Sequence, residues 1–191
     1  KVYLVTNGKI KYAKKEYNTT GNEYEIDFTQ STTFEETSDD FNDSEIGKIT
    51  YNFKKLNLIE SINKGRNIDV CGVLVDINPK QPIRSKAGKD LIMRKCSIVD
   101  DSNVKVELTL WDDDTDLISE DTEPVVIIKD AKVGEFNGNK NLSVSSGSIL
   151  VIEPKDNKEA AAIRKWYNGG EALKNVTSSQ AAVLHRSTPL I

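Results

Sequence analysis

Six cations crowd into one short stretch of this chain: Lys80, Arg84, Lys86, Lys89, Arg94 and Lys95, with Asp90 as the only acid among them. Two aromatics follow where a ring has little to bury it. Trp111 ends the run Val104–Trp111, in which Val104, Val106, Leu108 and Leu110 alternate with Lys105, Glu107, Thr109 and Trp111. Side chains alternate across a strand, so the aliphatic set faces a core and Trp111 joins the charged set on the solvated face. Phe136 precedes Asn137-Gly138, the strongest short hairpin signal, and so stands at a tip. Aromatic faces stack on bases, at about 1–3 kcal/mol each, while cations follow phosphates; together they hold a single nucleic-acid strand without a hydrogen-bond code. Trp111 and Phe136 are the candidate stacking residues. Arg84, Lys86, Lys89, Arg94 and Lys132 are candidate contacts to phosphate or base. The competing reading tucks Trp111 under a loop, folds Phe136 back onto its own hairpin and leaves each cation merely solvated.

Catalytic chemistry finds little to work with. The one histidine, His185, lies in a stretch with no pattern, which argues against a histidine-based triad or metal site. Asp112, Asp113, Asp114 and Asp116 form a dense acidic run without the spacing and glycine of an EF-hand. There is no phosphate-cradling glycine motif ending in Lys-Ser/Thr and no CxxC pair. Cys71 and Cys96 sit inside apolar runs, where a free thiol behaves as a small hydrophobe, and a reducing compartment fits them. The expectation is a non-enzymatic chain with no cofactor and no metal.

The elements that must position these residues are strands. Val2–Val5 and Ile10–Ala13 flank Thr6-Asn7-Gly8-Lys9, which reads as a hairpin, and Tyr24–Phe28 alternates at period 2. Residues 1–34 are therefore a β segment, too small to bury a core alone. Residues 35–47 are acidic and read as a linker. Residues 48–167 are strand-rich: an apolar strand from Ile68 to Ile77 broken by Gly72, a basic loop at Asn78–Asp90, strands at Leu91–Val99 and Val104–Trp111, then Val125–Val133 paired with Asn141–Val144, and Ile149–Ile152. Such spacing indicates a sandwich or barrel, and a glycine inside a strand marks the bend a small closed barrel needs. A helix is expected over Asp156–Tyr167, stopped by Asn168-Gly169-Gly170. Residues 168–191 read as a polar tail, disordered or foreign to the native chain.

The net charge of -4 excludes a globally basic nucleic-acid binder, so any such role must rest on a local patch. No apolar run approaches the ~20 residues of a membrane span. The lack of an initiator Met suggests an excised fragment.

Over Ile49–Trp166 the chain resembles the second DNA-binding domain of the large subunit of eukaryotic replication protein A. The resemblance is carried by Ile68-Asp69-Val70-Cys71-Gly72-Val73, Ile83–Lys89, Ile98-Val99-Asp100-Asp101-Ser102, Leu108-Thr109-Leu110-Trp111, Ile128–Gly138 and Asn141-Leu142-Ser143-Val144. Residues 1–28 are similar to the last strands of the preceding domain of that subunit. The resemblance implies an all-β, five-stranded OB-fold (a Greek-key barrel) with short helices, an N-terminal β-hairpin segment, and single-stranded DNA as ligand. It further implies nuclear duty in DNA replication, repair and recombination, and other subunits of a heterotrimer engaged through regions outside this fragment. Its stacking aromatics correspond to Trp111 and Phe136, and its basic contacts to Arg84 and, more loosely, Lys132 and Arg94. This sequence departs from it at Val5, where an aromatic contact is expected, and at Gly134, where a hydroxyl residue is common. A telomere-associated paralogue has the same pattern. An OB module for protein–protein contact is the rival from another class, since a fold does not dictate its ligand.

Overall fold

The computed structural model describes residues 3–14, 18, 22–36 and 49–170, together with the backbone of 177–178. By contact density the chain divides into Lys1–Tyr51 and Asn52–Ile191.

In the first unit, β1 (Tyr3–Thr6) pairs antiparallel with β4 (Thr33–Glu36), and β2 (Lys9–Tyr12) with β3 (Tyr24–Asp27). The expected hairpin across Thr6-Asn7-Gly8-Lys9 therefore does not form: β1 and β2 follow one another along a bent ribbon. Asn7 takes a left-handed φ of 59° and makes the bend, and its Nδ2 donates to Ser31 O at 3.3 Å. Thr32 Oγ1 donates to Asn7 O at 3.1 Å, tying the bend to the facing turn. β4 also runs two residues into the expected linker, whose remaining positions, 37–47, lie outside the described residues.

The second unit is a closed barrel. β5 (Asn67–Val75), β7 (Asp90–Val99), β8 (Val104–Trp111), β10 (Asn139–Ser143) and β9 (Val125–Phe136) pair in that order, and β9 returns to β5. All neighbours are antiparallel except β8 and β10. This is the five-stranded OB-fold. β5 is buried from Ile68 to Val75 because it serves β9 on one edge and β7 on the other. Gly72 permits the curl: a β-carbon there would lie 2.5 Å from Val99 O and 2.6 Å from Ile98 Cγ1. Aliphatic side chains including Val70, Leu74, Ile98, Val106, Leu108, Leu110, Val126, Ile128 and Leu142 fill the interior, and a 3₁₀ turn at Leu56–Ser61 adds Leu56 and Ile59.

Two buried carboxylates organise the barrel's ends. Asp69 lies at the register shift between Ile68 and Val70, accepts from Asn52 N (2.8 Å) and Asp130 N (2.9 Å), and faces Lys129 Nζ at 3.3 Å. Asp100 accepts from Leu56 N at 2.9 Å and from both Ser102 N and Ser102 Oγ. Burial raises the Asp100 carboxyl above its ordinary value, against the pull of those donors.

The stretch read as a basic loop is a hairpin arm. β6 (Gln81–Arg84) pairs with the first half of β7 around a turn at Ser85–Lys89, where Ser85 N bonds Lys89 O at 2.8 Å. Pro82 is tolerated because, among the described residues, β6 pairs only with β7 and stands at the edge of the sheet. β11 (Ile149–Ile152) extends the sheet beside β9. Helix α1 (Lys158–Asn168) starts at Asn157, whose side chain accepts from Glu159 N and Ala160 N, and buries Ala160 and Ile163. Of the tail, Thr177–Ser178 form a two-residue strand, β12, parallel to β8; 171–176 and 179–191 lie outside the described residues.

Candidate nucleic-acid interface

Register fixes what stands on the barrel's outer face. Arg94, Cys96 and Ile98 on β7 point inward opposite Leu110, Leu108 and Val106, so Met93, Lys95 and Ser97 point outward. On β10, Leu142 is buried, leaving Asn139, Asn141 and Ser143 outside. On β9, Ala131 and Val133 are buried, leaving Lys132, Gly134 and Phe136 outside. One cross-strand row then reads Lys95–Thr109–Ser143–Lys132, and the next Ser97–Glu107–Asn141–Gly134. Trp111 lies one row beyond the first and Phe136 one row beyond the second. Six residues of strand separate their rows, about 20 Å along the sheet at ~3.3 Å per residue.

Trp111 is not tucked under a loop. Its ring is half-buried, and its Nε1 donates to Ser143 Oγ at 2.8 Å, which ties the indole edge to β10. The ring lines an open cleft of about 460 Å³ with Leu91, Asp112, Asp113, Asp114, Val144, Ser145 and Ser146. Phe136 does not fold back either, being 72% exposed. The hairpin that carries it turns at Asn137 (φ 50°) and Gly138 (φ 80°), the paired left-handed residues of a type I′ turn. Both rings thus stand on one face with Lys132, which is exposed between them.

The other cations divide. Lys86 and Lys89 are exposed at the tip of the β6–β7 arm. Arg84 is 75% exposed on its side chain and lies 3.6 Å from Asp90, a contact that costs little to break in water. Arg94 corrects the expectation. It is 4% exposed, its Nη1 donates to Ile118 O and its Nη2 to Glu120 at 3.1 Å. Its parity on β7 matches Cys96 and Ile98, so its guanidinium spans the barrel wall and offers no charge to a ligand. Two further members of the cluster are also paired, Lys80 with Asp116 and Lys95 with Glu107 at 3.1 Å.

The acidic run after Trp111 is a 3₁₀ turn, Asp112–Asp116. Asp112 Oδ1 accepts from Ile92 N at 2.9 Å, closing the end of β7. Burial and then the Asp113 charge push the Asp114 carboxyl upward. Among the described residues no group of three or more His, Cys, Asp and Glu could hold a metal, and no helix is long and apolar enough to cross a membrane. Residue-level reading missed Ser143, the acceptor for the Trp111 indole; its alternation with buried Leu142 and Val144 is the signal that could have found it.

Three comparisons bear on this face. A family profile described as the replication protein A OB domain matches residues 56–153. The Drosophila melanogaster replication protein A 70 kDa DNA-binding subunit is 31% identical over 182 residues, which cover 94% of this chain and 30% of that protein. Replication factor A protein 1 of Saccharomyces cerevisiae is 33% identical over 168 residues, covering 88% of this chain and 26% of that protein. The chain thus spans less than a third of the length of these relatives. A solved structure titled as a replication protein A heterotrimer bound to ssDNA superposes with a TM-score of 0.68 at 32% identity, covering 93% of this chain and 41% of the matched chain.

Proposed function

Because this chain belongs to the replication protein A family through its OB domain, we propose that its barrel holds single-stranded DNA without catalysis. In this reading bases stack on Trp111 and Phe136 while the phosphates run past Lys132 and the arm that carries Arg84, Lys86 and Lys89. The observation that carries the reading is the pair of accessible rings on one face, one pinned through Ser143 and the other 72% exposed. Stacking needs an accessible π-face: Phe136 stands in solvent, and the half-buried Trp111 borders the open cleft. The relatives are named as replication proteins, which favours duty in DNA replication, with repair and recombination alongside, over telomeric duty. The same kinship supports a nuclear location and partnership with other subunits of a heterotrimer through regions outside this chain. No cofactor is required.

The test is fluorescence anisotropy of a labelled oligo-dT against the wild type and Trp111→Ala/Phe136→Ala. Each ring contributes about 1–3 kcal/mol, so the double variant is expected to lose affinity by at least tenfold while keeping its fold. Binding by the wild type should also fall steeply with salt. Unchanged affinity in a folded double variant would overturn the reading and favour a protein-contact role for this face.

A further inference from the structure

Asn is followed directly by Gly at three places in this chain: Asn7-Gly8, Asn137-Gly138 and Asn168-Gly169. In such a pair no β-carbon shields the glycine amide nitrogen, which can attack the Asn side-chain carbonyl carbon. By residue type the three pairs are alike; by environment they are not. At Asn168-Gly169 the nucleophile is held, because Gly169 N closes helix α1 by donating to Lys165 O at 3.2 Å and Trp166 O at 3.1 Å. At Asn7-Gly8 the electrophile is held, since Asn7 Nδ2 donates to Ser31 O at 3.3 Å. Asn137-Gly138 is restrained at neither end. Asn137 is exposed at the hairpin tip, and neither its carboxamide nor the Gly138 N–H bonds to another described residue. A β-carbon on Gly138 would meet nothing within 4 Å. Base and water therefore reach both reacting atoms.

We propose that Asn137 is a site of spontaneous deamidation, faster than the other two Asn-Gly pairs, and that the charge it creates weakens the hold on single-stranded DNA. The first half stands on the geometry of the three pairs; the second rests on the single-strand reading above. As a base takes the Gly138 amide proton, the nitrogen bonds to Asn137 Cγ, and the Cγ–Nδ2 bond breaks to release ammonia. One water then opens the cyclic imide at either of its carbonyls, leaving an aspartyl or an isoaspartyl residue. Both products place a carboxylate beside Phe136, where the neutral carboxamide stood. Asp-Gly suits a type I′ turn as Asn-Gly does, so the aspartyl product keeps the hairpin and changes only its charge. The isoaspartyl product routes the backbone through the former side chain, lengthens the turn by one methylene, and displaces Phe136 as well.

The test ages the protein in mildly alkaline buffer, one portion native and one in urea, while peptide mapping by mass spectrometry follows all three pairs. The native protein is expected to deamidate at Asn137 several-fold faster than at Asn7 or Asn168, and urea should draw the three rates together. Asn137 converting no faster than the other two in the native protein overturns the proposal. Asn137→Asp and Asn137→Gly, both compatible with the turn, isolate the consequence in anisotropy with oligo-dT. At low salt Asn137→Asp is expected to bind about 2- to 5-fold more weakly than the wild type, the effect of one charge roughly 4–8 Å from a phosphate in water. Asn137→Gly should bind like the wild type and gain no charge at this position on ageing. Equal binding by the two variants overturns the second half of the proposal even where the site deamidates. Failure of the wild type to bind oligo-dT at all defeats the single-strand reading, and the second half with it, and leaves the ranking of the three sites to stand or fall by the mapping.

Discussion

Arg94→Ala and Lys132→Ala separate a cation that builds the barrel from one that faces a ligand. Removing the Arg94 side chain leaves the buried Ile118 carbonyl without its donor, a loss of about 1–3 kcal/mol. Glu120 adds little, because its side chain is 47% exposed and rehydrates. The guanidinium stem also packs beside the inward row of β7, so the total is about 2–3 kcal/mol. For a unit of this size each kcal/mol moves Tm by about 2–4 °C, so Arg94→Ala should melt about 4–12 °C below the wild type. Lys132 is exposed on the outer face, and Lys132→Ala should melt within experimental error of the wild type. The binding assay reverses the ranking. On a plot of log affinity for oligo-dT against log salt, losing one phosphate contact on a single strand lowers the slope by about 0.7. Lys132→Ala should show that change and a folded Arg94→Ala should not. An Arg94→Ala protein that melts like the wild type and loses about 0.7 from its salt slope would refute the placement of the guanidinium inside the wall.

Gly72→Ala presses a methyl group against the Val99 carbonyl where the barrel closes. It should destabilise the barrel by about 1–3 kcal/mol in urea melts, and a neutral result would contradict the close approach. Ser143→Ala frees the Trp111 indole edge. Affinity for oligo-dT should fall a few-fold with a red-shifted tryptophan emission, and an unchanged emission and affinity would show that the bond positions nothing. Burial pushes the Cys71 and Cys96 thiols up to about 12. Far below that value almost no thiolate forms, so iodoacetamide at pH 8 should label neither in the native protein and both after denaturation. Labelling of the folded protein at the rate of a free thiol would contradict their burial.

The period-2 pattern of β8 made the outward placement of Trp111 legible, because four aliphatic residues at alternating positions leave no other register that buries them. The same logic, applied to β7, would have withdrawn Arg94: it shares parity with Cys96 and Ile98. A run of cations looks alike whether its members face in or out, and charge counting overrode the pattern. The β6 strand was hidden by Pro82, a strand breaker everywhere except at an edge, and edges are settled by tertiary pairing. Asn7-Gly8 carries a hairpin signal, yet Asn7 alone of the pair takes a positive φ and the chain only bends there. Whether such a site reverses the chain or only bends it depends on which strands lie opposite.

The four carboxylates that pair with Lys80, Arg84, Arg94 and Lys95 give this surface tethered counterions. A phosphate arriving at Lys80, Arg84 or Lys95 does not simply shed mobile salt; it must displace an anion that is covalently part of the same molecule and cannot diffuse away. Binding there is ion exchange. The displaced Asp116, Asp90 or Glu107 stays beside the strand, so the salt slope counts fewer contacts than the number of phosphates engaged. Under the single-strand reading, a chain of net charge -4 would in this way refuse stray polyanions that offer charge alone, and yield its cations to a strand whose bases also stack.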